Sequence, residues 1–220
     1  MATDDSAHPA STFAADRIEA LTDGVFAIAM TLLVIELKLP DPHAIRSAAE
    51  LAQALANLSP KAIAWTISFC VLAFFWVGHH RVFGHVRRTD GPLLTLNLAE
   101  LGVVTLMPFS CSLIGEFPGS LVAQAIYSAN MFLLAVAALA VARRIHLHPA
   151  LCSEPMARPT YESARLRIGA VMVISVLAVL VGSLFTVPVV GNLAFMLMTV
   201  INPLSRRIER RQLARLGPAP

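Results

Sequence analysis

Arg17 and Asp23 stand six residues apart at the head of an apolar run that continues to Leu37. A run of about 20 such residues spans a bilayer as a helix. Charged groups inside a spanning helix cost about 2.5–3.5 kcal/mol each on insertion scales, so they mark function by default. On a helix the two lie about 9 Å apart along the axis and about 120° apart around it, which is not the i,i+4 relation of helix neighbours. Each therefore needs a partner on another helix. Trp76, His79 and His80 close a second apolar run that returns in the opposite direction and arrives at similar depth. An indole N–H donates, and an imidazole donates or accepts. The expected arrangement is a polar network tying Arg17 and Asp23 to Trp76, His79 and His80, between helices or between subunits. Arg17 could equally mark the membrane edge and extend its charge into the headgroups. Asp23 is too short and too deep for that.

Other residues of the first run share a face. At 100° per residue, Arg17, Leu21, Gly24, Ile28, Thr31, Leu32 and Ile35 fall in one sector about 120° wide. Ile28 and Ile35 stand seven residues apart on it, with the hydroxyl of Thr31 and the side chain of Leu32 between them. An Ile/Leu stripe at this spacing is what ordinary helix packing produces, and a threonine can bond its own i−4 carbonyl. His79 and His80 diverge by 100° as helix neighbours, with no Glu or Cys at a helpful spacing, so no metal site and no cofactor are expected. Proton sensing is open to them, because histidine titrates near neutral pH. Glu100 is a second intramembrane carboxylate, either a proton site or a packing partner of Asn97. Cys70, Cys111 and Cys152 have no spacing of a disulfide framework or zinc site. Neither a His-Glu-x-x-His nor a Gly-x-Ser-x-Gly motif occurs, and no enzymatic activity is expected.

The elements that must position these groups are membrane helices. Hydrophobic residues make up 56% of the 220-residue chain and charged ones 14%, against about 25% charged in soluble domains. The apolar residues come in blocks of about 20, which reads as a polytopic, all-α membrane protein. Six spans are expected, near 18–39, 61–82, 93–114, 121–141, 168–185 and a short last one ending near 204. Residues 1–16 form a polar tail without the basic start of a signal peptide, residues 17–205 the membrane domain, and residues 206–220 a basic tail. Residues 43–58 read as a short amphipathic helix at the membrane surface or against the other helices. Ser59-Pro60 reads as a helix start, and Pro108 as a kink in the third span. With six spans, fourteen of the basic residues, Arg17 and those of the second-to-third loop, the fourth-to-fifth loop and the tail, share one side, against Lys38, Arg46 and Lys61 on the other. The positive-inside rule places both termini in the cytoplasm. No inverted repeat is visible, and no nucleic-acid partner is expected from a net charge of +3.

Arg17…Leu21-Thr22-Asp23 resembles the first-helix signature of the family of the lysosomal potassium channel known as transmembrane protein 175: arginine, three variable residues, then Phe-Ser-Asp. Leu21 stands for the phenylalanine and Thr22 for the serine. Phe75-Trp76-Val77-Gly78-His79-His80-Arg81 and Leu106-Met107-Pro108-Phe109-Ser110 fit as well, and the single-repeat length is similar to the bacterial branch. The resemblance implies a bacterial inner-membrane, potassium-permeable channel, a homotetramer in the lipid bilayer whose first helices line a central pore. It makes the sector above the pore side, with Ile28, Thr31, Leu32 and Ile35 at the constriction, and it adds Thr22 to the polar network of Arg17, Asp23, Trp76, His79 and His80. It implies K+ as the permeant ion. The rival reading is a proton-coupled transporter or proton-permeable pathway that uses Asp23, Glu100 and the histidines.

Overall fold

Residues 15–32 combine an acidic first turn at Asp16 with a mainly apolar, helix-compatible stretch from Val25 onward, and they form α1 (Ala15–Leu32). The helix then tightens into a 3₁₀ turn, Leu33–Glu36. The computed structural model describes residues 13–38, 45–184, 194–195, and Ser205, Arg207, Glu209, Arg211 and Ala214. Of the surface helix expected over 43–58, α2 (Ala48–Asn57) is described. Its N-cap Ser47 accepts from Glu50 N–H at 3.2 Å while Glu50 accepts from Arg46 N–H at 2.6 Å, a reciprocal cap. No residue of α2 is buried.

α3 (Ser59–Phe83) follows after the single residue Leu58, which is its N-cap and offers no side-chain bond. Ser59 is thus the first helical residue rather than the cap, and Pro60 occupies the first turn, where its missing N–H costs nothing. α4 (Gly91–Thr105) is capped by Asp90, which accepts from Leu93 N–H at 2.9 Å. It breaks at Leu106 into α5 (Met107–Glu116) because Pro108, in the first turn of α5, lacks the N–H that would continue the ladder. α6 (Leu121–Leu147) and α7 (Arg158–Leu184) form the most extensive helix pair. Small residues are buried on both, Ala135 and Ala142 on α6 and Ala164, Ala178 and Gly182 on α7. That is how helices approach closely where lipid supplies no hydrophobic drive between them.

Five helices among the described residues are long and apolar enough to span a bilayer: Ala15–Glu36, Ser59–Phe83, Gly91–Glu116, Leu121–Leu147 and Arg158–Leu184. The chain is a multi-pass, mainly helical membrane protein. The expected sixth span lies outside the described residues, apart from Ala194 and Phe195. Phe195 packs edge-on against Tyr127 at 6.2 Å. Two spans run further than their hydropathy: α6 continues through Arg143 and Arg144, and α7 begins at Arg158 rather than near 168.

The core centres on Phe26, Leu33, Leu72, Met107, Tyr127 and Leu134. Polar groups within it bond across helices: Ser68 with Tyr127 at 3.0 Å, and Asn130 Nδ2 donating to Ser110 at 3.0 Å. Gly115 permits a close crossing, because a Cβ there would come within 3.3 Å of Lys61 Cα. At the opposite end the expected all-α fold gains a strand pair. β1 (Phe13–Ala14) lies antiparallel to β2 (Arg88–Thr89), with Phe13 opposite Thr89. Beside it Arg87 N–H bonds Leu151 O at 2.8 Å, Ser153 N–H bonds His85 O at 2.9 Å, and Asp90 pairs with Arg144. The start of α1, the loop before α4 and the loop after α6 are thereby fastened together on one side.

Candidate pore face and its polar anchors

α1 has two unlike faces. Ile18, Thr22, Phe26, Ala29 and Leu33 are buried against the bundle. Arg17, Leu21, Gly24, Ile28, Thr31, Leu32 and Ile35, the whole of the sector defined above, are exposed on the protomer. Ile28 is 60% and Ile35 55% exposed, whereas Leu33 between them is fully buried. The Thr31 hydroxyl donates to its own helix at Ile28 O, 2.8 Å away.

The anchors come from α3, as its antiparallel course requires. Trp76 Nε1 donates to Asp23 Oδ1 at 2.8 Å. One turn further on, His80 Nδ1 lies 3.0 Å from Glu19 Oε1, and the Trp76 and His80 rings stack at 6.1 Å. Glu19 was missed in the sequence reading. The signal was its i,i+4 relation to Asp23, which matches the i,i+4 relation of Trp76 and His80 on the facing helix. Thr22 takes a separate path: its hydroxyl donates to Ile18 O at 2.9 Å and accepts from Asn97 Nδ2 of α4 at 3.1 Å. His79 turns away from Asp23 and meets Glu100 of α4, Nδ1 to Oε2, at 3.3 Å. Arg17 joins neither Asp23 nor the α3 groups. It is exposed and has no polar partner among the described residues. The expected single network is therefore three separate contacts within the protomer: Asp23 and Glu19 held from α3, Thr22 held from α4, and His79 held by Glu100.

The far end of the face is also held. Ser112 of α5 donates to Glu36 Oε2 at 2.6 Å, and Lys61 pairs with Glu116 alongside. Outside the membrane helices, burial alone would push the Asp90 carboxyl up. Hydrogen bonds from Arg144 and Leu93 N–H, together with the charges of Arg144 and His148, outweigh it and hold Asp90 below the usual carboxylate range. Burial pushes the Cys152 thiol up, so it is not a reactive thiolate. Among the described residues no cluster of three or more His, Cys, Asp or Glu side chains is arranged to hold a metal ion.

The model of the family described as "Endosomal/lysosomal potassium channel TMEM175" matches residues 17–108, from Arg17 to the proline that opens α5. A potassium channel of Streptomyces collinus is 38% identical over 152 residues, 66% of this chain and 72% of that protein. A potassium channel of Chamaesiphon minutus is 38% identical over 145 residues, covering 64% and 69%. The chain belongs to the TMEM175 family. The crystal structure of a Chamaesiphon minutus homolog of the lysosomal potassium-selective channel TMEM175 superposes with a TM-score of 0.73 at 28% identity, over 87% of this chain and 97% of that one. Human TMEM175, named an endosomal/lysosomal proton channel, is 38% identical over 117 residues, 46% of this chain but only 23% of the human protein. Both α1 and the α3 residues that hold it lie inside the TMEM175 match.

Proposed function

We propose that four copies of this chain assemble in the bacterial inner membrane as a passive potassium channel, with α1 of each lining the axis. The observation that carries this reading is the unpartnered apolar stripe of α1, continuous from Leu21 through Ile28 to Ile35 on a helix whose opposite face is packed. A lone protomer would leave Arg17, Gly24 and Thr31 on that stripe facing lipid, which an axial water-filled lumen relieves. Ile28 and Ile35 form the narrow apolar rings, with Thr31 and Leu32 between them. Asp23, Thr22, Trp76, His79 and His80 hold helices in register without touching the ion. Arg17 acts at the mouth or in contact with a neighbouring copy. Names given to the bacterial relatives support potassium as the permeant ion, with no cofactor and no catalysis.

Both termini are cytoplasmic in this reading. The arginine-bearing loops fastened to β1 support it, as does Glu209, whose carboxylate lies 3.9 Å from Arg167 in the half of α7 nearest those loops. A proton-coupled carrier has less support, because Asp23, His80 and Glu100 lie in separate contacts rather than along one path. The deciding experiment is flux into liposomes that contain only the purified protein. Potassium-driven flux that persists under a proton clamp and exceeds sodium flux is expected. Flux that requires a pH gradient would return the carrier to first place. A C-terminal tag labelled only from the periplasmic side would overturn the topology.

A further inference from the structure

His79 and Glu100 are ionisable groups sealed inside the bundle, with side chains 3% and 1% exposed. Neither lies on the exposed face of α1. The His79 ring stacks on Phe83 at 4.3 Å, and Phe26 of α1 lies against it at 6.4 Å. Its Nδ1 faces Glu100, while its Nε2 is buried with no hydrogen-bond partner among the described residues. Buried polar atoms are satisfied with few exceptions, and a bound water is the usual answer where protein groups supply none. His79 and Glu100 line a cavity of about 30 Å³ together with Arg167 of α7. A water needs about 10–15 Å³ and two to four polar neighbours, and this cavity offers both.

The charged groups around the pair come from several elements. α4 supplies Glu100 and α7 supplies Arg167, whose Nη1 also lies 3.0 Å from Ser163 Oγ and 3.9 Å from Glu209 Oε2. α6 adds only the apolar Ala138 and Val141 to the wall. α1 adds Phe26, and its acids Glu19 and Asp23 are taken by His80 and Trp76.

We propose that His79 and Glu100, with a water in this cavity, form a proton-binding site off the ion path that controls the pore helix through α3. This inference rests on the channel reading. With no added proton, a neutral imidazole meets the Glu100 carboxylate through Nδ1. A proton delivered through the cavity water to Nε2 makes the ring an imidazolium, and the ion pair then draws α3 against α4. Loss of that proton removes the ionic attraction, and α3 loosens from α4. Trp76 and His80, three residues before His79 and one after it, are the groups that hold Asp23 and Glu19. A displacement of α3 here reaches α1 directly.

The test is potassium flux in proteoliposomes under a proton clamp at bath pH from about 5 to about 8, the range in which histidine side chains as a class change charge. Wild-type flux is expected to change several-fold across the range. His79→Gln and Glu100→Gln are each expected to flatten the profile with the potassium/sodium permeability ratio unaltered. A wild type that conducts potassium with a flat profile, or folded variants that keep the wild-type profile, would overturn the proposal. A wild type that conducts no potassium fails the channel reading instead. Infrared titration of the wild type then decides the site alone: a dehydrated carboxylate band must shift as pH falls and an imidazolium forms beside it. Absence of that shift overturns the site even when neither variant assembles, and its loss in Glu100→Gln assigns it.

Discussion

Trp76 holds Asp23 across the α1–α3 contact by a 2.8 Å hydrogen bond from its indole N–H, so the carboxylate of the signature is oriented by a second helix and not by its own. Trp76→Phe keeps the ring and removes the donor. A hydrogen bond to a charged group contributes about 1.5–3 kcal/mol. Because Asp23 is exposed on the protomer, the lower end applies. The expected result is a lower melting temperature and oligomer yield with an unchanged potassium/sodium ratio, and Asp23→Asn should act in the same direction. An altered ratio at full yield would place Asp23 in the ion path.

Ile28 projects from the exposed face and supports nothing in the protomer core. Ile28→Asn should leave folding intact and raise resting flux, because an amide ring wets where an isoleucine ring dries. Liposome flux of the purified variant measures this. Flux equal to wild type would remove Ile28 from the constriction.

Thr22 and Asn97 meet at 3.1 Å with both side chains fully buried. Interhelical hydrogen bonds in membrane proteins contribute about 0.6 kcal/mol on average and up to about 1.7 kcal/mol. Thr22→Val and Asn97→Leu should each destabilise, and a double-mutant cycle by denaturation in mild detergent should return a coupling in that range. A coupling near zero would mean that the Ile18 carbonyl alone satisfies Thr22.

The Asp90–Arg144 pair predicts a dependence on acid. The folded-state pKa of Asp90 lies below the ordinary value, so the stabilisation is complete above the unfolded pKa of about 3.9 and is lost as pH falls through the folded value. Allowing for solvent screening, cap and ion pair together contribute about 1–2 kcal/mol. Asp90→Asn should melt below wild type at neutral pH, and the difference should close at strongly acidic pH. A gap that persists there would assign the effect to packing.

The apolar faces were legible in the sequence because a bilayer imposes one length and one composition on every span. Every residue of the projected α1 sector is exposed, since no irregularity interrupts the helix before Leu33, and the exposed surface also takes in Ala20, Asp23, Ala27 and Val34. The start of α7 was hidden: Arg158–Leu166 is polar enough to read as loop, yet it is helical and carries an i,i+3 Glu162–Arg165 pair. The β1–β2 pair gives no periodic signal in two-residue strands. His79 could have been separated from His80 in advance. Adjacent helical residues point 100° apart, so only one of them can face α1, and the other must find its partner on another helix. Glu100 was visible as a buried carboxylate, but its choice of His79 over Asn97 depends on the rotation of α4, which an apolar sequence of nearly uniform hydropathy around the helix leaves open.

The strand pair at the head of α1 and the Glu36–Ser112 bond at its tail act as a torsional clamp. A transmembrane rod in fluid lipid meets little resistance to spinning about its own axis. A spin of one residue, about 100°, would put Ala27 or Ala29 where Ile28 now stands. Fastening α1 at both ends fixes its azimuth, and with it the calibre of whatever the exposed face encloses. A register slip of β1 on β2 would change that bore without altering a single residue lining it.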